Sequence, residues 1–214
     1  MPSARREYIK DIKMNAPDKW HFDRQLRHQL KRDMLLKVAA RCFNEKGTSG
    51  TSLKDVARQL GITDAAVYYY VKNKEELIYL CYSRALDIGG AALDRAIEEG
   101  QSELEKLQLY IRYQVEAVCG DEGPVAMLSE IPALSKVHKD ELLKRSRQHT
   151  RRITAIIDAG IEAGEMKADN SAMVSNAILG AVNWVPKWFR PSASNSGEEV
   201  AKVFANSLTL GLRA

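Results

Sequence analysis

The chain has 214 residues and a formal net charge of +4, with 45% hydrophobic and 28% charged residues. This composition is typical of a globular protein with a substantial core and excludes a disordered chain. No apolar run approaches the roughly 20 residues of a membrane span, and no apolar segment follows the first charges as in a secretory signal. The 3 cysteines are far apart and predict neither a disulfide framework nor a zinc site, so we expect a cytoplasmic protein.

Positive charge is concentrated in the first third of the chain. Residues 1–74 carry 16 lysines and arginines against 8 acidic residues, whereas residues 75–214 carry 16 against 20. This asymmetry favours an anionic partner for the basic part, either nucleic acid or a membrane surface. The basic residues of the N-terminal extension are Arg5, Arg6, Lys10, Lys13 and Lys19. They would form an arm along a DNA backbone, or alternatively a tail that only increases solubility.

Helical periodicity runs along the chain and strand signals are almost absent, which predicts an all-α fold. One apolar stripe predicts a first long helix and consists of Leu26, Leu30, Met34, Leu35, Val38, Cys42 and Phe43. Gly47 is expected to end this helix, because glycine is favoured just past a helix C-terminus. Ser52 and Asp55 have the spacing of a capping box and would open a short helix that runs to about Leu60.

The run VYYYV at residues 67–71 has a strand-like composition, since aromatic and β-branched residues are enriched in strands. Val67 and Val71 are four residues apart, however, and would share the buried face of a short helix capped by Thr63. Each helical residue advances about 100°, so Tyr69 would point away from the core, with Tyr68 and Tyr70 on its two sides.

Two short helices joined by a glycine-containing turn form a helix-turn-helix, here over residues 52–71. Such a unit places its second helix in the major groove of DNA while the first crosses the backbone. We predict base contacts from Thr63, Asp64, Ala65, Ala66 and Tyr69. We predict phosphate contacts from Thr51, Ser52, Lys54, Tyr68, Tyr70 and Lys74. The alternatives are that the helix pair is ordinary all-helical structure and that Tyr69 is simply an exposed aromatic.

The region from Leu35 to Leu77 resembles the N-terminal domain of TetR-type transcriptional repressors. The matching segments are AARCF at 39–43, Gly47, TSLKDVA at 51–57, GIT at 61–63 and AVYYYVKNKEEL at 66–77. Many members carry phenylalanine where this chain has Val71, which keeps the face apolar. The resemblance implies a homodimer with a four-helix interface formed by the last two helices of each subunit. It also implies a small ligand that binds the C-terminal domain and loosens the grip on double-stranded DNA.

The same resemblance predicts three parts of the chain: a basic N-terminal extension at 1–23, a three-helix helix-turn-helix domain at 24–76, and a helical ligand-binding and dimerisation domain at 77–214. In the last part, one helix begins at about Lys74 and a second carries an apolar stripe over 104–118. A short apolar piece at 125–128 leads to Pro132. Three more helices are predicted at about 136–164, at 171–188 with Pro186 as an interruption, and at about 198–212.

The C-terminal pattern N-W-x-x-x-W-F-x-P at residues 183–191 is similar to a branch of the family that represses fatty-acid and sterol degradation. Several members of that branch respond to acyl-CoA thioesters, which require a long apolar pocket with positive groups at its mouth. We predict ligand contacts from Tyr110, Tyr113, Gln114, Met127, His149, Arg152, Asn183, Trp184 and Trp188. The mouth would use Arg145, Arg147, Arg151 and Arg152. The alternatives are core packing of the tryptophans, a solvated arginine face, and an unrelated hydrophobic drug or aromatic effector.

Motifs of enzymes are missing from the sequence, which has no G-x-S-x-G elbow, glycine-rich phosphate loop, H-E-x-x-H or paired C-x-x-C. We therefore expect no catalytic residue, no metal, no cofactor besides the small effector and no membrane partner. A helical adaptor that binds another protein through the exposed tyrosines is the remaining alternative to a DNA-binding repressor.

Overall fold

The computed structural model describes residues 16–120, 134–190 and 196–214, with side chains from residue 26 onward. The chain divides into two compact units, Met1–Leu35 and Leu36–Ala214. Across the described residues the secondary structure is helical, with one isolated bridge between Met166 and Arg213 and no strand. The predicted all-α fold is confirmed. No helix in this described part is both long and apolar enough to cross a bilayer.

Four helices form the N-terminal half: α1 (Ala16–Lys46), α2 (Leu53–Leu60), α3 (Asp64–Tyr68) and α4 (Lys74–Glu99). Gly47 follows α1 with a φ of 73°, a left-handed conformation that glycine adopts without strain. The start of α1 differs from the prediction, because residues 16–23 of the expected extension are the first turns of this helix. Residues 1–15 lie outside the described residues. The predicted stripe on α1 is also shorter than expected, since Leu26, Leu30 and Met34 are exposed.

Four further helices form the C-terminal half: α5 (Glu103–Cys119), α6 (Lys136–Glu162), α7 (Ser171–Trp188) and α8 (Gly197–Thr209). A 3-10 turn at Leu210–Leu212 ends the last helix. Pro186 lies inside α7 without ending it, and the Phe189 amide still donates to the Val185 carbonyl at 2.9 Å. The predicted apolar piece at 125–128, Pro132 and the ligand residue Met127 lie outside the described residues.

Buried side chains from α4 to α8 form the main core, with α5 in contact with each of its neighbours. The fully buried members of this core include Leu93, Leu107, Ile111, Ile157 and Val182. Burying such side chains contributes roughly 1.5–3 kcal/mol each relative to exposure, so this cluster supplies most of the stability of the C-terminal half.

Polar contacts connect the end of α1 to two other parts of the Leu36–Ala214 unit. The Thr51 hydroxyl is within hydrogen-bond distance of the carbonyls of Cys42 at 3.1 Å and Gly47 at 2.9 Å. The Lys187 ammonium on α7 donates to the Asn44 carbonyl at 2.7 Å. Asn44 lies in the last turn of α1, where carbonyls have no amide partner within the helix, and the Lys187 ammonium supplies a donor there. One end of α7 is thereby joined to the segment that leads into α2.

Candidate DNA-binding surface and ligand cavity

Reciprocal capping fixes the start of α2. The Asp55 amide donates to the Ser52 hydroxyl at 3.2 Å, and the Asp55 carboxylate accepts from the Ser52 amide at 2.9 Å. The predicted capping box is therefore confirmed. Hydrogen bonds from Ser52 lower the pKa of the Asp55 carboxyl, so the box stays ionised at neutral pH. Gly61 then adopts a φ of 67° and ends α2, which is the tight turn that separates the two short helices.

The three tyrosines at the end of α3 point in three directions, although the helix is shorter than the predicted one around 64–71, because it ends at Tyr68 with Tyr69 as its C-cap and Tyr70 in the turn that follows. Val67 and Val71 are 0% and 2% exposed, whereas Tyr69 is 71% exposed, as the four-residue spacing of the valines predicts. Tyr68 is also exposed, and Tyr70 is half-buried with its ring edge-on to Tyr69 at 5.2 Å. In a strand Val67, Tyr69 and Val71 would lie on one face, so burial of the two valines with Tyr69 exposed excludes a strand in spite of the strand-like composition. Tyr69 is consequently the tyrosine that a groove would meet first.

The N-terminal part of α3 is small and accessible. The Thr63 hydroxyl accepts from the Ala66 amide at 3.3 Å, which confirms Thr63 as the cap of this helix. Asp64 and Ala65 are exposed and Ala66 is half-buried. Short side chains at these positions leave room for a groove floor to approach the backbone.

A shallow hollow lies between the start of α2 and the start of α4. It is lined by Ser49, Gly50, Thr51, Ser52, Leu53, Lys54, Asp55, Tyr68, Lys72, Asn73 and Lys74. Most of the predicted phosphate contacts thus meet at one surface with three lysines around it. Lys54 and Lys72 are exposed and Lys74 is half-buried. Hydroxyls, backbone amides and lysines at a helix start are the groups that hold DNA phosphates in register.

Two members of the predicted phosphate set differ from the others: Tyr70 is not part of the lining of the hollow, and Thr51 lines it with a buried side chain. Thr51 is 1% exposed, and its hydroxyl is engaged with the carbonyls at the end of α1. The sequence T-S-L-K does not predict which of the two hydroxyl side chains is buried, because Thr51 and Ser52 both lie beside a helix start. Ser52 is exposed, and its hydroxyl is engaged in the capping box with Asp55.

A small cavity lies inside the C-terminal half, between α4, α5, α6 and α7. Its volume is about 50 Å³, and its lining is Ala85, Leu86, Gly89, Tyr110, Gln114, Ser146, His149, Thr150, Leu179 and Asn183. It contains four of the nine predicted ligand residues: Tyr110, Gln114, His149 and Asn183. The cavity differs from the long apolar pocket that an extended acyl chain would need, because one end of it is polar.

The polar end of the cavity is uncharged at neutral pH. The Tyr110 hydroxyl and His149 Nε2 are 2.9 Å apart, and the phenol is fully buried. Burial, and to a lesser extent the charge of Arg152, lowers the pKa of His149 to about 4, although Asp94 opposes the shift. Burial also raises the pKa of Tyr110. Both partners therefore remain neutral, and the pair presents hydrogen-bonding groups without a charge.

Replacing His149 with glutamine should reduce the loss of stability that the protein shows when the pH is lowered from 7 to 5. A histidine with a lowered pKa gains its proton more readily in the unfolded chain, so stability is lost as pH falls through 6.5 towards 4. The loss at pH 5 amounts to at most about 2 kcal/mol. For a chain of this size that is a melting-temperature difference of roughly 4–8 °C between pH 7 and pH 5.

Thermal unfolding of the wild type and His149→Gln at both pH values measures this difference. Carboxylates titrate in both proteins and cancel in the comparison. Parallel profiles for the two proteins would contradict the assignment of a buried neutral imidazole.

Four predicted ligand residues lie outside the cavity. Tyr113 donates to Glu99 and lies under the Arg95 guanidinium, whose carbon is 3.9 Å from the ring centre. Arg152 forms an ion pair with Asp94 at 2.6 Å. The two tryptophans, Trp184 and Trp188, are 57% and 42% exposed on the outer side of α7.

An open groove adjoins the cavity along α6 and α7. It is lined by Ser146, Arg147, Thr150, Arg151, Thr154, Ala155, Asp158, Ala172 and Asn176. Ser146 and Thr150 line both the groove and the cavity. The four arginines of the predicted mouth thus separate: Arg145 and Arg152 pair with acids of α4. Arg147 and Arg151 lie in the groove, one helical turn apart.

Within the described residues, no group of three or more histidine, cysteine or acidic side chains is arranged to hold a metal ion. The lining of the cavity and the groove contains hydrogen-bonding, apolar and arginine side chains.

Two family models match the chain over most of its length. Residues 35–79 match the model for bacterial regulatory proteins of the tetR family. Residues 100–212, more than half of the chain, match the model for the tetracyclin repressor-like C-terminal domain. The chain belongs to the TetR family. It is a TetR-type transcriptional regulator with a helix-turn-helix DNA-binding domain, and the resemblance found in the sequence is confirmed.

Several TetR proteins are similar to this chain over most of its length. PfmR from Thermus thermophilus has a solved structure that superposes with a TM-score of 0.70 and is 31% identical, covering 84% of this chain and 99% of PfmR. The repressor KstR2 of Mycolicibacterium smegmatis is 24% identical over 81% of this chain and 86% of its own length. AibR, solved in complex with isovaleryl coenzyme A and operator DNA, is 20% identical with a TM-score of 0.69, covering 82% of this chain and 96% of AibR. At that identity AibR shows the fold alone.

In this TetR protein the outer face of α7 is apolar and exposed, and single apolar side chains of α8 and of the turn after it are exposed or half-buried. On α7 the face consists of Met173, Ala177, Gly180, Trp184 and Trp188, which fall within an arc of about 80°. Trp188 stacks on Phe204 of α8 with ring centres 6.0 Å apart. Val203 on α8 and Leu210 in the 3-10 turn are 54% and 68% exposed. Large contiguous apolar surfaces of this kind are characteristic of protein–protein interfaces.

Proposed function

We propose that the protein represses transcription as a homodimer on a palindromic operator and is released from it by a short acyl-CoA thioester. The operator sequence would be read by α3 together with its exposed C-cap residue Tyr69. The dimer is supported by the exposed apolar face of α7 and by the stacking of Trp188 of that helix on Phe204 of α8. A face containing Gly180 and Ala177 lets two copies of α7 approach closely around a two-fold axis.

Dimerisation would place two copies of α3 on one side of the assembly. Two recognition helices related by a two-fold axis read two half-sites about one helical turn of DNA apart, or a multiple of that distance. The lysines around the hollow at the start of α2 and α4 then lie along the phosphates of each half-site.

An acyl-CoA effector is supported by the combination of cavity and groove. The groove offers Arg147 and Arg151, and among the described residues neither of these arginines is in an ion pair. Two guanidinium groups one turn apart suit the phosphates of the CoA nucleotide. The adjoining cavity accepts only a short group, since about 50 Å³ is a third of a cavity that holds benzene.

The route from effector to DNA follows the hydrogen bonds around the end of α1. Asn183 lines the cavity on α7, one turn before Lys187. Lys187 donates to the Asn44 carbonyl, and Thr51 connects the same helix end to the start of α2. A shift of α7 on ligand binding would change these contacts and hence the position of the helix-turn-helix.

The proposed function is tested by anisotropy of labelled DNA from the promoter beside the protein's own gene. We expect binding whose affinity falls roughly a thousandfold or more between 50 and 200 mM salt, as phosphate contacts release counterions. Short acyl-CoAs should release the DNA. A salt-insensitive interaction would reject the repressor-operator model, and release only by unrelated hydrophobic drugs would reject the acyl-CoA.

Two adjacent glycines of α4 provide a matched control for the cavity. A Cβ on Gly89 would lie 3.4 Å from Gln114 Oε1 and from His149 Nε2, in ordinary contact, whereas a Cβ on Gly90 meets none of the described atoms within 4 Å. Gly89→Ala should keep operator binding but lose the acyl-CoA response at least tenfold, since the methyl group occupies the cavity. Gly90→Ala should retain both. Equal responses of the two variants would place the effector elsewhere.

A further inference from the structure

Gln114 lines the cavity and has an unpaired acceptor there. Its side chain is 5% exposed, and Oε1 has no hydrogen-bond partner among the described residues. A buried polar atom without a partner costs roughly 1–3 kcal/mol, so it favours a ligand that restores the missing bond. Gly89 opens the space in front of it, because a Cβ there would lie 3.4 Å from Oε1.

The other polar groups of the cavity favour a ligand group that carries no charge. Tyr110 and His149 are hydrogen-bonded to each other at 2.9 Å and face the same space as Gly89. Neither carries a charge at neutral pH, so a free carboxylate or ammonium group would enter this end without a counterion. A hydroxyl group fits, because it donates to the carboxamide oxygen and accepts from a neutral donor beside it.

The size of the cavity limits the group that carries the hydroxyl. A volume of about 50 Å³ corresponds to roughly three or four water-sized atoms, since one such atom requires about 10–15 Å³ on this measure. The end of a short hydroxylated chain has this size, whereas a long or polycyclic acyl group does not.

We propose that the effector is a short hydroxyacyl thioester whose hydroxyl group donates to Gln114 Oε1. This inference rests on the proposed release of the operator by an acyl-CoA and adds the chemical class of the acyl group. Gln114 is then the residue that selects a hydroxylated ligand over its deoxy analogue.

Four thioesters of equal chain length test the proposal: butyryl-CoA, 3-hydroxybutyryl-CoA, 4-hydroxybutyryl-CoA and acetoacetyl-CoA. With the wild-type dimer on labelled operator DNA, one of the hydroxy thioesters should cause half-release at a roughly tenfold lower concentration than butyryl-CoA. Acetoacetyl-CoA should be no better than butyryl-CoA, because a ketone cannot donate to a carboxamide oxygen. The best ligand being acetoacetyl-CoA, or equal potency of all four, would overturn the proposal.

The variants Gln114→Leu and Gln114→Met distinguish recognition from stability. Both should bind operator DNA as the wild type does, and both should lose the preference for the hydroxy thioester. A preference that persists in a folded variant would assign the hydroxyl to another group. If no thioester of any chain length releases the DNA, the proposed effector class fails. If butyryl-CoA alone suffices at equal potency, only the role of Gln114 fails.

Discussion

Gly180→Arg should convert the protein into a folded monomer that no longer holds its operator. Gly180 is exposed in the middle of the apolar face of α7, and a Cβ there meets none of the described atoms within 4 Å. The substitution therefore fits the isolated chain, and it removes the penalty of about 1 kcal/mol that glycine carries in a helix interior. In a symmetric dimer the same arginine appears twice at the contact, where burying it without a partner is costly.

The effect on DNA binding should be large because each subunit of the proposed dimer reads one half-site. A monomer loses the second half-site and the high effective concentration that dimerisation provides, which lowers affinity by roughly 100-fold or more. Sedimentation velocity measures the mass, and anisotropy with labelled operator measures the affinity.

Gly90→Arg is the matched control, since it places the same side chain at another helical glycine with open space around its Cβ. It should leave both the mass and the affinity unchanged. A Gly180→Arg protein that remains dimeric would remove the α7 face from the interface, whatever its DNA affinity. A monomeric variant with full affinity would contradict cooperative binding of half-sites.

The sequence predicted local structure well where one or two side chains determine the backbone. Ser52 with Asp55, Thr63, and the glycine at 47 each specify a cap or a helix end through contacts within a few residues. The valines at 67 and 71 likewise specify the buried face of α3, and from it the outward direction of Tyr69. Such short-range determinants are visible in any single sequence.

The ligand cavity was predicted only in part, because its lining depends on which side of each helix faces the core. Tyr110 and Gln114 are four residues apart on α5 and lie together as their spacing requires. Trp184 and Trp188 also share a face, but α7 is apolar on both sides, with Ile178, Val182 and Val185 buried opposite them. Periodicity alone therefore left the direction of the tryptophans undetermined. The unpaired oxygen of Gln114 depends on the arrangement of three helices, so no sequence pattern marks it.

Replacing Tyr69 with alanine should relax the choice of operator sequence. Tyr69 is the C-cap residue of α3 and is 71% exposed on the side away from the buried valines, so its ring would contact base edges in the major groove. Truncation removes a large contact surface from each half-site. Affinity for the best operator should fall roughly 10–100-fold, while affinity for operators altered at the contacted base pair changes far less.

Lys74→Ala is the comparison variant for Tyr69→Ala, because it should remove a phosphate contact instead of a base contact. Lys74 lies at the edge of the hollow at the start of α4, where it would meet a phosphate and carry no information about sequence. Its loss should weaken binding to all operators by about the same factor and reduce the slope of affinity against salt by about 1 per subunit.

Anisotropy with a set of single-base operator variants at three salt concentrations separates the two effects. Tyr69→Ala should change the ranking of the operators at constant salt slope, and Lys74→Ala should change the slope at constant ranking. If Lys74→Ala changed the ranking, the face of α3 assigned to the groove would be wrong. If Tyr69→Ala weakened all operators equally, its ring would be packing against the sugar-phosphate backbone, and the base contacts would have to come from the short side chains at the start of the helix.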